Sequence, residues 1–80
     1  MVAGELLAGI DVGTTATKAV LVDLGGRRVA EFVHRYPIHR PEPGAAEQDP
    51  ADWMDGVLGA VGHFAEVADL SGLRGIGICS

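Results

Sequence analysis

Between Leu6 and Asp23 two apolar runs flank one short polar turn, a pattern that few folds accommodate. Leu6-Leu7-Ala8-Gly9-Ile10 ends in the carboxylate of Asp11, and Ala19-Val20-Leu21-Val22 closes on a second acid, Asp23. Between them lies Val12-Gly13-Thr14-Thr15-Ala16-Thr17-Lys18. The pattern predicts a strand over Leu6 to Val12, a tight turn, and a second strand over Thr17 to Asp23, with Asp11 at the mouth of the first. Two readings of the turn stand side by side. As hairpin punctuation, Gly13 supplies backbone freedom and the threonines are ordinary strand residues. As a site, its backbone N–H groups and Thr hydroxyls surround an anion such as the phosphates of a nucleotide. The segment is neither the three-glycine dinucleotide fingerprint nor a P-loop.

Downstream, Leu24-Gly25-Gly26-Arg27 reads as a second hairpin turn, and Arg28 to Tyr36 as a third strand. Alternation sets Ala30, Phe32 and Tyr36 on one face of that strand and Glu31 and Arg35 on the other, so it is half-exposed. The first strand, nearly all apolar, is expected at the centre of the sheet. Pro37 to Ala46 is a loop, interrupted by Pro37, Pro41, Pro43 and Gly44. Asp49-Pro50-Ala51-Asp52 is a helix start, with Asp49 as cap and Pro50 where its missing N–H costs nothing. Trp53, Val57, Val61, Phe64 and Ala68 recur near helical spacing and define the expected buried stripe. Within that helix Gly56, Gly59 and Gly62 each cost about 0.8–1.0 kcal/mol relative to Ala. They either permit close packing or simply weaken the helix. After Ser71-Gly72, Leu73 to Cys79 reads as a fourth, buried strand. Left at an open edge, it would expose apolar surface.

The order is therefore β-β-β-α-β with a mixed sheet, within a single small domain of 80 residues. A 48% hydrophobic content suffices for a core and excludes a disordered chain. A net charge of −5 argues against a nucleic-acid partner, which needs a basic patch. The single cysteine excludes an internal disulfide, and with no clustered His a structural zinc site is not expected. The N-terminus lacks the charge pattern of a signal peptide, and no run reaches the length of a membrane span. The expected location is cytoplasmic, with no membrane partner.

Asp11-Val12-Gly13-Thr14-Thr15-Ala16-Thr17-Lys18 on the first hairpin resembles the α/β, actin-like ATPase (ribonuclease H-like) fold shared by sugar kinases, Hsp70 chaperones and actin. Pro43-Gly44-Ala45-Ala46-Glu47-Gln48-Asp49-Pro50-Ala51-Asp52-Trp53 is similar to a segment of the FGGY-family carbohydrate kinases, xylulokinase-like members above all. The Asp23-x-x-Gly turn and Gly75-Ile76-Gly77-Ile78-Cys79-Ser80 match the same family. The resemblance covers nearly all of residues 1–80, which would form an incomplete opening of that family's N-terminal domain.

The resemblance implies an ATP-dependent phosphoryl transfer to a hydroxyl of a ketose or polyol, xylulose first. It implies that Asp11, as catalytic and metal-adjacent residue, holds Mg²⁺ through water beside the β- and γ-phosphates. Gly13 then lets the backbone approach ATP, Thr14 and Thr15 offer N–H and hydroxyl donors, and Lys18 faces the phosphates. The catalytic base, the second phosphate loop and the adenosine-binding segment are expected beyond residue 80, so the isolated piece would be inactive. A homodimer of the parent is compatible with this reading. Two alternatives remain open: a fragment of an Hsp70- or actin-like ATPase, and a catalytically inert truncated module. Asp11 also reads as a turn cap and Lys18 as a solvated strand residue. Glu47, Gln48 and Asp49 read as structural and Trp53 as core. His34, His39 and His63 read as exposed and non-catalytic, Cys79 as a small buried residue, and Arg27 and Arg28 as surface charge.

Overall fold

Alternating apolar residues on the first two segments give each strand one face to bury, and a hairpin lets the two bury it together. In the computed structural model, which describes residues 4–36 and 50–80, β1 spans Leu6–Val12, β2 Ala16–Asp23 and β3 Arg28–Arg35. Helix α1 follows over Pro50–Val67, then a single 3₁₀ turn over Leu70–Gly72 and strand β4 over Leu73–Cys79. The strands form one sheet in the order β3-β2-β1-β4. The β1–β2 and β2–β3 pairs are antiparallel, and β4 returns beside β1 in parallel. The expected element order and the internal place of β1 are both observed, with β2 starting one residue earlier and β3 ending one residue sooner.

The Asp23 carboxylate builds the β2–β3 turn. Its Oδ1 accepts from the N–H groups of Gly25 at 3.0 Å and Arg27 at 2.9 Å. Gly26 N–H donates to the Asp23 carbonyl at 3.0 Å, with Gly26 at φ 83, a conformation that disfavours any residue with a Cβ. At the other end of the helix, Asp69 caps the 3₁₀ turn by accepting from Ser71 N–H at 3.0 Å. Hydrogen bonds from the Ser71 side chain and from its N–H hold the Asp69 carboxyl below its usual range.

Leu6, Ala8 and Ile10 of β1 and Ala19 and Leu21 of β2 face α1 and meet Ala60, Phe64 and Ala68 in the core. Leu6 and Leu21 are wholly buried, each contributing roughly 1.5–3 kcal/mol. The helix packs chiefly on β3 and β2, less on β1.

Its buried face corrects the expected stripe. Gly56, Ala60 and Phe64 face inward, Val57 and Trp53 are only partly covered, and Val61 is exposed. The reason is proximity. A Cβ at Gly56 would overlap the Thr17 side chain, and one at Gly59 would come within 2.8 Å of the Phe32 ring. Two glycines therefore bring the helix onto the sheet, whereas at Gly62 a Cβ would meet nothing within 4 Å.

Three further expectations are corrected. Strand β4 is not buried: Ile76 and Ile78 lie beyond the reach of α1 and are 48% and 61% exposed, so the open edge is the observed outcome. Cys79 at its end is exposed. His34 and His63 are partly covered rather than exposed, because the His34 ring meets Tyr36 edge-on and His63 leans on Phe32 and Phe64. The loop from Pro37, the cap at Asp49, Glu47, Gln48 and His39 lie outside the described residues.

Candidate functional site

Period-two alternation that buries Leu6, Ala8 and Ile10 turns Leu7, Gly9 and Asp11 to the face of the sheet opposite α1. Asp11 is exposed there, one residue before the end of β1. Register fixes its neighbours. Lys18 of β2 lies directly opposite on one side and Cys79 of β4 on the other. Side chains opposed in this way share a face, so a cation, a carboxylate and a thiol form one row across three strands. The Cys79 thiol donates to Asp11 Oδ1 at 3.8 Å, a long contact through sulfur.

Below this row, Gly9 and Gly77 are register partners. With no side chain on either, β1 and the edge strand β4 present bare backbone as the floor of an open hollow of roughly 550 Å³. Asp11, Lys18, Val20 and Glu31 contribute to its walls.

The turn beyond Asp11 is tight. Gly13 N–H donates to the Ala16 carbonyl at 2.9 Å, leaving Thr14 and Thr15 as the two residues at the tip. Both carry negative φ, so neither bears the cost of a left-handed conformation. A Cβ at Gly13 would stand 3.1 Å from the Ala16 carbonyl, so hairpin closure alone accounts for the glycine. That closure also commits the Gly13 N–H within the hairpin and removes it from the donors open to an anion. Thr14 and Thr15 are exposed.

The structure thus gathers Asp11, Gly13, Thr14, Thr15 and Lys18 at one end of one hairpin. Sequence reasoning missed four participants. Cys79 was expected to be buried, yet it stands beside Asp11. Gly9 and Gly77 form the floor, for which the paired Gly75-x-Gly77 spacing was a signal without a register. Tyr36 was placed only on a face, but its hydroxyl reaches the buried Thr17.

A carboxylate that stands alone sets a condition on any metal. Among the described residues no group of three or more His, Cys, Asp and Glu could hold an ion. Asp11 therefore fits a hard cation whose remaining ligands are water and phosphate oxygens, as Mg²⁺ prefers, and does not fit an ion needing an all-protein cage. No helix among the described residues is long and apolar enough to cross a membrane.

Comparison with known proteins gives this geometry its family. The chain is 36% identical over 66 residues to xylulose kinase of Bacillus subtilis (strain 168), covering 82% of the chain and 13% of that protein. It is 34% identical over 67 residues to glycerol kinase of Ralstonia pickettii (strain 12J), covering 84% of the chain and 14% of the relative. The crystal structure of xylulose kinase from Rhodospirillum rubrum superposes with a TM-score of 0.75 at 37% identity, over 94% of this chain and 15% of that one. The chain thus spans a small fraction of the length of these relatives, and its mixed sheet and helix have the α/β, actin-like fold of these sugar kinases. Residues 6–80 match the model of the FGGY family of carbohydrate kinases, N-terminal domain, and the chain belongs to that family.

Proposed function

We propose that this chain supplies the first phosphate-binding hairpin of an ATP-dependent sugar kinase, in a longer protein of which residues 1–80 form part of the N-terminal domain. One observation carries the reading: an exposed carboxylate, Asp11, stands in register with a cation, Lys18, directly below a tip made of two exposed threonines. In this reading Asp11 holds Mg²⁺ through water. The bound ion supplies neutralisation of charge on the phosphate oxygens. The Thr14 and Thr15 hydroxyls and the Thr15 N–H orient those oxygens, while Lys18 offsets the charge that spreads over the moving phosphoryl group. Gly13 keeps the tip narrow enough for the backbone to approach. The acceptor is a hydroxyl of a ketose or polyol. The name xylulose kinase among the relatives favours xylulose, and the glycerol kinase match keeps a polyol as the second reading. The base that takes the sugar proton is assigned to no residue of this chain. In this reading the partners are ATP and a small sugar and the setting is cytoplasmic, while the net charge of −5 disfavours nucleic acid.

The test uses the full-length kinase containing this segment, with xylulose and glycerol compared in a coupled ADP-release assay. Asp11→Ala is expected to lower kcat by about 10²–10³, the scale of losing one electrostatic contact to the transition state. Sugar affinity, read by calorimetry, should stay within two-fold. Equal losses in both would remove Asp11 from the phosphate site. The 80-residue chain by itself is expected to show no sugar-stimulated ATP consumption.

A further inference from the structure

We infer that Tyr36 is a positioning residue for the Thr14–Thr15 turn; the inference rests on the phosphate-binding reading of that turn. Tyr36 follows the last residue of β3 and grips the return leg of the first hairpin at two points. Its N–H donates to the Thr15 carbonyl at 3.1 Å. Its ring hydroxyl shares a hydrogen bond with Thr17 Oγ1, a bond in which either group can donate. Thr17 is wholly buried, and it is the only buried polar side chain among the described residues. From the other side α1 closes on Thr17 at Gly56, where a Cβ would overlap it. The His34 ring stands edge-on to the Tyr36 ring at 6.0 Å and limits its swing. The segment from Thr15 to Thr17 is therefore clamped between the end of β3 and the helix.

Stability alone does not call for this arrangement. Replacing both members of a buried hydrogen-bonded pair by apolar groups of similar shape is close to neutral. An apolar pair would fill the space but give no direction. What the hydroxyl pair adds is a fixed orientation of the strand that follows Thr15. A phosphate site depends on such orientation, because donors held in place before binding need no reorganisation when charge develops.

The experiment follows amide hydrogen exchange in the ¹⁵N-labelled full-length kinase containing this segment, with MgATP as the probe ligand, for Tyr36→Phe, Thr17→Val and Thr17→Ser. Exchange at Thr14, Thr15 and Ala16 is expected to rise about five-fold in the first two variants, the factor corresponding to one hydrogen bond of about 1 kcal/mol. Exchange at Leu6 to Ile10 should not change, and Thr17→Ser, which keeps the hydroxyl, should restore wild-type rates. MgATP-induced shifts at Thr14 and Thr15 should need about five-fold more ligand in Tyr36→Phe and no more in Thr17→Ser. If Tyr36→Phe unfolds, Thr17→Val carries the same test, since it leaves a half-buried Tyr hydroxyl that can reach water. Uniform acceleration across all strands, or none at the turn, overturns the inference. A wild-type full-length kinase without MgATP shifts at the turn overturns the phosphate reading instead, while the exchange rates still decide whether Tyr36 fixes the turn.

Discussion

Replacing Gly56 and Gly62 by alanine, one at a time, sets helix propensity against packing within a single helix. Both lie inside α1 with ordinary negative φ, so either substitution gains about 0.8–1.0 kcal/mol of helix preference. At Gly62 a Cβ meets nothing within 4 Å, and the gain should appear undiminished. For a domain of this size it raises Tm by about 4–8 °C. At Gly56 the same Cβ would stand 2.7 Å from Thr17 Cβ and nearer still to its hydroxyl. Thr17 is wholly buried on an internal strand and hydrogen-bonded to Tyr36, so it cannot step aside freely. Overpacking of this kind costs about 1–3 kcal/mol, which offsets the propensity gain and leaves Gly56→Ala neutral to about 2 kcal/mol less stable. Urea unfolding followed by far-UV circular dichroism reads both, with the slope m checking that the unfolded reference is unchanged. Gly56→Ala as stabilising as Gly62→Ala would show that the helix does not approach β2 as closely as described.

Two further outcomes test local chemistry. Asp23→Ala removes the acceptor of two backbone N–H groups in the β2–β3 turn and should cost about 0.5–1.5 kcal/mol in the same urea assay, reading close to zero if the turn holds without it. Asp69 has its folded pKa lowered by its bonds to Ser71, so its contribution is present above the unfolded value and is lost as pH falls through the folded one. The urea midpoints of the wild type and Asp69→Asn should therefore differ above about pH 4 and converge below it; a gap that widens on acidification would reverse the assignment.

Much of this protein follows from local pattern. Leu6 to Val12 had to be a strand with Asp11 on the face opposite Leu6, because alternation leaves no other arrangement once one face is buried. Asp23 with Gly25-Gly26 had to turn the chain, since side-chain acceptance by Asp and the positive φ at Gly26 are properties of those residue types. The motifs around Asp11 and Asp49-Pro50 likewise pointed to the family that residues 6–80 match.

Other features depend on contacts between residues far apart in the chain. Apolar spacing assigned Val61 to the core, yet α1 turns Gly56, Ala60 and Phe64 inward. Glycine carries no hydrophobic signal, so a face chosen for close approach is invisible to periodicity. Cys79 beside Asp11 and Gly9 beside Gly77 require the register of a parallel pair separated by a helix. The Tyr36–Thr17 bond requires the register of β3 on β2 and the depth to which the helix covers it. Sequence alone determined the strands, their turns and the face that carries Asp11, because those follow from each residue's own geometry. Tertiary structure decided which small residues the helix rests on and which groups stand beside the carboxylate, because those depend on where distant segments come to rest.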